Sequence, residues 1–296
     1  MSTLTHRGRP YRVLVDLNTQ CDFLLPRGAL PVSNRAEVLP KIRQLMNWAR
    51  LEQVGVISSL EAHRPSESSK GLPPHCIDRT RGQRKLPFTL MPRRVFLQGD
   101  NTLDVPMDPF RRYQQVILTK RETDFLSNPK ADRLINGLTP SYWIIFGVTA
   151  SHCVKAMVLG LLARQQHVVV VKDACGYWSQ VDGEHAFLQM DAKGAILLST
   201  DELISGLAEE KIRAKFPVPV AEDDDDQEIM ADREGRNGDG QDRHERNPAA
   251  SNGRRKAKSG KDDKRGKDIS DFIPARLIRR KARSSKSSAK SPRDLA

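Results

Sequence analysis

Four consecutive valines, Val168 to Val171, stand between His167 and Lys172. A β-branched run with no polar alternation marks a strand buried on both faces, and such strands belong to parallel sheets covered by helices. The neighbouring sequence agrees. Short apolar runs at 11–16, 54–60, 95–97, 115–120 and 141–148 alternate with helix-like segments at 37–52, 130–138, 154–163 and 184–195. Within 37–52, Val38, Ile42, Leu45, Met46 and Trp48 recur at roughly helical spacing. Strands joined by helical crossovers predict an α/β fold, a parallel sheet with helices on both faces. Ligands of such sheets bind beyond the carboxyl ends of the strands. The polar residues there are Asp16 and Asn18, Glu61 and His63, Lys120, Cys153 and Asp173. A Ser/Pro/Gly-rich loop from 61 to 92 is long enough to predict function or mobility.

This pattern fills a predicted domain at 11–216, after a flexible start at 1–10. Beyond it the composition changes. Residues 221–245 hold 11 Asp/Glu against 3 Lys/Arg, a net of −8; residues 246–296 hold 17 Lys/Arg against 5 Asp/Glu, a net of +12. Phe272 is the one aromatic of the last 76 residues. So little apolar surface cannot offset chain entropy, which predicts a disordered acidic-then-basic tail at 217–296. Its clusters Arg254-Arg255-Lys256 and Arg279-Arg280-Lys281 suit non-specific contact with a polyanion, either a phosphate backbone or anionic lipid. With no aromatics interleaved, base-specific recognition is not expected. A solvated polyampholyte whose two blocks attract each other is the plainer reading. Phe272-Ile273-Pro274 with Leu277-Ile278 is a short apolar patch able to dock on a partner or on the domain.

Several classes are excluded. No stretch approaches ~18 consecutive apolar residues, so no membrane-spanning helix is expected. The polar, basic start predicts no secretory signal. Four cysteines, at 21, 76, 153 and 175, contain no CxxC pair and form no disulfide framework or structural zinc module. A reducing, cytoplasmic setting is the expectation.

Cys153 follows the strand at 141–148 and opens a helix. Free N–H groups at a helix amino terminus favour a thiolate, and Lys120, ending another strand, adds a stabilising ammonium. Free cysteines are also common as small buried hydrophobes, and position alone leaves both readings open. Cys175 follows the valine strand and is expected to pack.

Phe146-Gly147-Val148-Thr149-Ala150-Ser151-His152-Cys153-Val154-Lys155-Ala156 resembles the nucleophile motif of the isochorismatase-like cysteine hydrolases, which include the nicotinamidases. Gly160-Leu161-Leu162 and Val170-Val171-Lys172-Asp173-Ala174-Cys175 downstream agree. Asn18-Thr19-Gln20-Cys21-Asp22-Phe23 is similar to the family's first-strand motif, Asp-x-Gln-x-Asp-Phe. Thr119-Lys120-Arg121-Glu122-Thr123-Asp124-Phe125 looks like its lysine segment, and Pro73-Pro74-His75-Cys76 resembles its Trp-Pro-x-His-Cys segment. Five segments in order, across residues 11–205, make the resemblance specific.

The resemblance implies a three-layer α/β/α fold with a six-stranded parallel sheet and an Asp–Lys–Cys triad. The cysteine attacks a carbonyl carbon, the aspartate takes the thiol proton, and an acyl-enzyme forms and is hydrolysed. Here Lys120 matches the lysine and Cys153 the nucleophile. The family's cis peptide falls at Val148–Thr149, and the N–H groups of Thr149 and Cys153 map to its oxyanion site. Two departures matter. The aspartate position is Asn18, an amide unable to act as a base at neutral pH. Asp16, ~6–7 Å further back along an extended strand, and Glu122, beside Lys120, are the stand-ins the sequence offers. Ala150 replaces the family's usual threonine, which bears on the hydrogen bonding of that turn.

Nicotinamidases also bind one divalent metal through an Asp-x-His pair and a later histidine. Glu61-Ala62-His63 occupies the pair's position and His75 matches the later histidine, a set suited to zinc, manganese or iron. The metal would hold a substrate's ring nitrogen. The family's extra histidine is missing, and Glu67 replaces it poorly on spacing; solvated loop residues are the alternative for all three.

The expected function is therefore hydrolysis of a C–N amide bond in a small, nicotinamide-like molecule. Isochorismate is a less expected substrate, because members acting on it do not use this nucleophile. The alternative is a pseudoenzyme of the same fold, a binding or regulatory protein with the basic tail as its working part. Family members are often homo-oligomers, although nothing in this sequence specifies an interface.

Overall fold

The computed structural model describes residues 11–67, 71–99 and 102–216. Its strands are β1 (Arg12–Leu17), β2 (Gly55–Glu61), β3 (Arg94–Leu97), β4 (Gln115–Lys120), β5 (Tyr142–Val148), β6 (Val168–Gly176) and β7 (Ile196–Leu198). They form one sheet in the order β3-β4-β2-β1-β5-β6-β7, every pair parallel. The helices are α1 (Cys21–Leu24), α2 (Arg35–Leu51), α3 (Pro129–Asn136), α4 (Lys155–Ala163), α5 (Gln180–Ala192), α6 (Thr200–Ser205) and α7 (Glu209–Lys215).

The sheet has seven strands, not the predicted six. The extra one, β7, is only Ile196-Leu197-Leu198, too short to show a period in the sequence. Every residue of β1 and β5 is buried, as parallel strands covered on both faces must be. At the sheet's edge, β3 alternates exposed with half-buried residues. The valine strand is sandwiched between α2 and α4. It also runs further than predicted, to Gly176. Asp173 therefore lies inside β6, where it ion-pairs with Lys41 at 3.6 Å and accepts from the backbone N–H and hydroxyl of Thr200 at 2.8 Å. It anchors the start of α6 and takes no part in a strand-end site. Cys175 is buried in the sheet.

Helix starts follow local chemistry. Asn128 caps α3 ahead of Pro129, Ser179 caps α5, and Ser199 with Glu202 forms a reciprocal capping box on α6. Because Ser179 supplies the cap, α5 begins at Gln180, four residues before the predicted start.

Strand order places the site. From β1 the chain moves to β2 on one side, and from β4 it crosses to β5 on the other. The connections after β1 and β5 therefore diverge, opening a crevice above the paired residues Leu17 and Gly147. Such a reversal of strand order is where open α/β sheets bind ligands. The predicted flexible start at 1–10 and the tail at 217–296, with both basic clusters and the Phe272 patch, lie outside the described residues. No helix among the described residues is long and apolar enough to cross a membrane.

Candidate active site

Asn18 follows the last residue of β1 and adopts a left-handed φ of 51°, a conformation that asparagine tolerates better than most residues. Its backbone N–H donates to Ser59 Oγ at 3.0 Å, and the Ser59 hydroxyl donates back to Asn18 Oδ1 at 2.6 Å. The amide nitrogen is left to donate to Glu61 Oε2 at 2.8 Å and to Cys153 Sγ at 3.2 Å. A carboxylate oxygen at 2.8 Å admits only a donor, which fixes the orientation of the amide.

At the end of β5 the Val148–Thr149 peptide is cis. Gly147 has a φ of 128°, and a Cβ there would run into the backbone of Leu17; only glycine lets β5 pass β1 this closely. The chain then winds one π-helical turn, Ala150–Val154, before α4. The backbone N–H groups of His152 and Val154 both donate to the Thr149 carbonyl, at 3.2 and 3.1 Å, so the turn closes although Ala150 has no hydroxyl. Thr149 Oγ1 and Ser151 Oγ lie 3.2 and 2.9 Å from His152 Nδ1, and the exposed His152 ring rests against Trp178.

Cys153 lies in this turn and is 6% exposed. Lys120, the last residue of β4, is 2% exposed. Its ammonium donates to Glu61 Oε2 at 3.1 Å, to the Glu122 carbonyl at 2.9 Å and to Cys153 Sγ at 3.5 Å. The sulfur thus meets an ammonium and an amide donor. Burial is the largest influence on the Cys153 thiol and pushes it up; the Lys120 charge and the hydrogen bonds from Lys120 and Asn18 pull it down without prevailing, and Glu61 adds to the rise. For Lys120, burial acts downward, but Cys153 and Glu61 outweigh it and hold the ammonium above its usual value.

Glu61 ends β2 and divides its two oxygens. Oε2 faces Asn18 and Lys120, whereas Oε1 faces His63 Nε2 at 2.9 Å and His75 Nε2 at 3.0 Å. Burial raises this carboxyl most, but Lys120 and hydrogen bonds from His63, His75 and Lys120 together hold it well below the usual carboxylate range. For His75, burial opposes the charge, while the Glu61 bond, the Pro73 carbonyl, Glu61 and Asp22 raise its pKa overall. The backbone of Glu61 is clamped by Gln20: the Glu61 N–H donates to Gln20 Oε1, and Gln20 Nε2 donates to the Glu61 carbonyl, both at 2.8 Å.

Glu61, His63 and His75 each present one ligand atom, all within 4.8 Å of one another. The remote nitrogen of each ring is engaged behind: His75 Nδ1 donates to the Pro73 carbonyl at 2.7 Å, and His63 Nδ1 lies 3.6 Å from Glu67 Oε2. Oriented imidazoles with a carboxylate or carbonyl behind them are the usual support for a metal, so the donor set fits one divalent ion. Glu67 itself is held by Arg121 at 3.2 Å and stands behind His63, outside the cluster.

The structure brings Asn18, Glu61, His63, His75, Lys120 and Cys153 together. It does not bring Asp16, whose carboxylate is taken by Lys85, Ser58 and Thr19. Glu122 offers Lys120 its carbonyl and has an exposed side chain. The roles of Ser59 and Gln20 were missed in the sequence; the Asx-x-Gln spacing was the available signal for Gln20.

Comparison with known proteins agrees with this architecture. The family described as "Isochorismatase domain" matches residues 12–202. No curated protein matches the sequence closely enough to count as a relative. Among solved structures, the pyrazinamidase of Pyrococcus horikoshii in complex with zinc is 23% identical, with a TM-score of 0.50, covering 64% of this chain and 99% of its own. A nicotinamidase from Bacillus subtilis is 15% identical, with a TM-score of 0.51, covering 64% and 99%. An isochorismatase family protein from Desulfovibrio vulgaris is 20% identical, with a TM-score of 0.54, covering 68% and 100%. At these identities the likeness is one of fold. The family match, spanning most of the chain and every element from β1 to β7, shows that this protein belongs to the isochorismatase domain family.

Proposed function

We propose that the chain is a cysteine amidohydrolase that cleaves the C–N bond of a small, nicotinamide-like amide. The observation that carries this reading is Cys153 Sγ held between Lys120 Nζ at 3.5 Å and Asn18 Nδ2 at 3.2 Å, at the strand-order crevice. Sγ adds to the amide carbonyl, and the charge it carries on ionising is met by the ammonium and the amide. The N–H groups of Thr149 and Cys153 are our candidates for the developing oxyanion. Collapse breaks the C–N bond, releases ammonia and leaves a thioester on Cys153; water then yields the carboxylic acid and restores the thiol. The thiol proton ends on the departing nitrogen. Glu61 Oε2 contacts both groups that flank the sulfur, and we assign it the passage of that proton in place of the family's aspartate.

Glu61 Oε1, His63 and His75 would hold zinc, manganese or iron, which would supply a Lewis acid that anchors a ring nitrogen of the substrate. All four cysteines are unpaired, in keeping with a reducing compartment such as the cytoplasm. The test is ammonia release from small aromatic amides by the full chain and by Cys153→Ala. Turnover lost in the variant supports the reading; none from either protein supports the pseudoenzyme, which Asn18 favours. On that second reading the tail is the working part, and deleting 221–296 abolishes polyanion binding; on the first, the deletion leaves turnover intact.

A further inference from the structure

Beneath Asn18 lies a second buried charge that the proposed chemistry does not use. The Lys85 side chain is 2% exposed and that of Asp16 is fully buried, with Nζ 2.9 Å from Asp16 Oδ2. The remaining contacts of Lys85 go to Thr19 Oγ1 at 2.8 Å and to the Ser59 carbonyl at 3.4 Å. All three partners border Asn18. Asp16 lies two residues before it and Thr19 directly after it, and the Thr19 hydroxyl closes the turn by donating to Asp16 Oδ1 at 2.8 Å. Ser59 is the residue whose hydroxyl grips the Asn18 amide. The strand-like pairing of Gln20 with Lys85, with the Leu86 N–H donating to the Thr19 carbonyl at 2.9 Å, ties the lysine's loop to the same turn.

We propose that the Lys85–Asp16 ion pair is a positioning device that holds the Asp16–Thr19 turn and Ser59 so that the Asn18 amide is aimed at Cys153 Sγ. This rests on the hydrolase reading only in naming Cys153 as the group served. A buried ion pair is a poor way to gain stability, because two apolar residues of similar volume often serve as well or better. Apolar contacts are non-directional, however, whereas the ammonium here must satisfy three acceptors at fixed places around one residue. Asn18, in a left-handed conformation with its amide shared between a carboxylate and a sulfur, is the residue that needs such direction.

The experiment uses the full chain carrying Asp16→Leu with Lys85→Met. Three quantities are measured: the unfolding temperature, the side-chain amide resonances of Asn18 (assigned by their loss in Asn18→Ala), and the iodoacetamide rate at Cys153. The double variant leaves the buried hydroxyls of Ser58 and Thr19 without their acceptor and should unfold somewhat below the wild-type temperature. Its Asn18 amide resonances should shift and exchange faster with solvent, and Cys153 should alkylate about ten-fold or more slowly, the loss expected for one hydrogen bond to a charged group. Thr19→Val removes only the hydroxyl that bridges the pair; it should show the same two changes in milder form and decides the matter if the double variant does not fold. Folded variants with unchanged Asn18 resonances and an unchanged Cys153 rate would overturn the proposal. A wild-type Cys153 that never acylates would sink the hydrolase reading instead, and the Asn18 resonances would still report on the pair.

Discussion

Restoring the family's acid at position 18 should harm this site. Asn18 Nδ2 lies 2.8 Å from Glu61 Oε2, so Asn18→Asp sets a carboxylate oxygen against a carboxylate oxygen. At an effective dielectric of about 20, two unit charges 2.8 Å apart repel by ~6 kcal/mol, enough to force a proton onto one carboxyl at neutral pH. The pair then carries a single negative charge, as Glu61 alone does now. The sulfur loses the N–H donor now 3.2 Å away; a hydrogen bond to a charged group is worth ~1.5–3 kcal/mol, or about 10–100-fold in thiolate population. Cys153 alkylation, followed by peptide mass spectrometry from neutral to alkaline pH, should therefore be at least ten-fold slower in Asn18→Asp, with its midpoint moved up. A faster Cys153 in the variant would refute the reasoning: position 18 would then need an acid, and Asn18 would mark a lapsed site. In this account Asn18 and Glu61 are a matched pair, the longer carboxylate reaching a neighbour that must be a donor.

Other predictions concern the surroundings. Lys120→Met takes the ammonium from Glu61 Oε2 and leaves that oxygen the Asn18 amide; removing one partner of a buried ion pair costs up to ~3–5 kcal/mol, and the Cys153 midpoint moves up because the ammonium pulls that thiol down; urea melts and alkylation profiles read the two effects. Wild type should retain one zinc per chain against a chromogenic chelator, His75→Ala should lose it, and Glu67→Gln, acting through His63, should weaken it by about ten-fold or more. In metal-free protein, His75 is raised above 6.5. Its contribution to stability is therefore fully present below pH 6.5 and lost as pH rises through the folded value; the unfolding temperature should fall over that range in wild type and not in His75→Gln. Gly147→Ala forces a Cβ onto the Leu17 backbone at a φ that disfavours side chains, and should destabilise the fold by ~3 kcal/mol or more in urea unfolding.

The strands β1, β2, β4, β5 and β6 were legible because each is an apolar run bounded by polar residues. β7 was not, since three residues carry no period. Helix α6 had a readable start, Ser199 followed three residues later by Glu202, a signal the periodicity overshadowed. Asn18, Glu61, His63, Lys120 and Cys153 were legible as strand-end polar residues and His75 by resemblance. That one carboxylate meets both histidines with one oxygen and Asn18 and Lys120 with the other was not, because it depends on how a side chain one methylene longer than aspartate reaches across the crevice. Lys85 was hidden for another reason. It follows Arg79, Arg81 and Arg84 and reads as part of a solvated basic loop, while its partner Asp16 belongs to a strand 69 residues earlier. Only the fold shows it to be buried.

On the hydrolase reading, Cys153 carries the acyl group. Rapid acid quench of the zinc-loaded full chain with nicotinamide, followed by peptide mass spectrometry, tests it most directly. The account predicts a hydroxylamine-sensitive acyl adduct on the Cys153 peptide, none on Cys21, Cys76 or Cys175, and stoichiometric ammonia. Ammonia released with Cys153 unmodified, or equally well by Cys153→Ala, would contradict it.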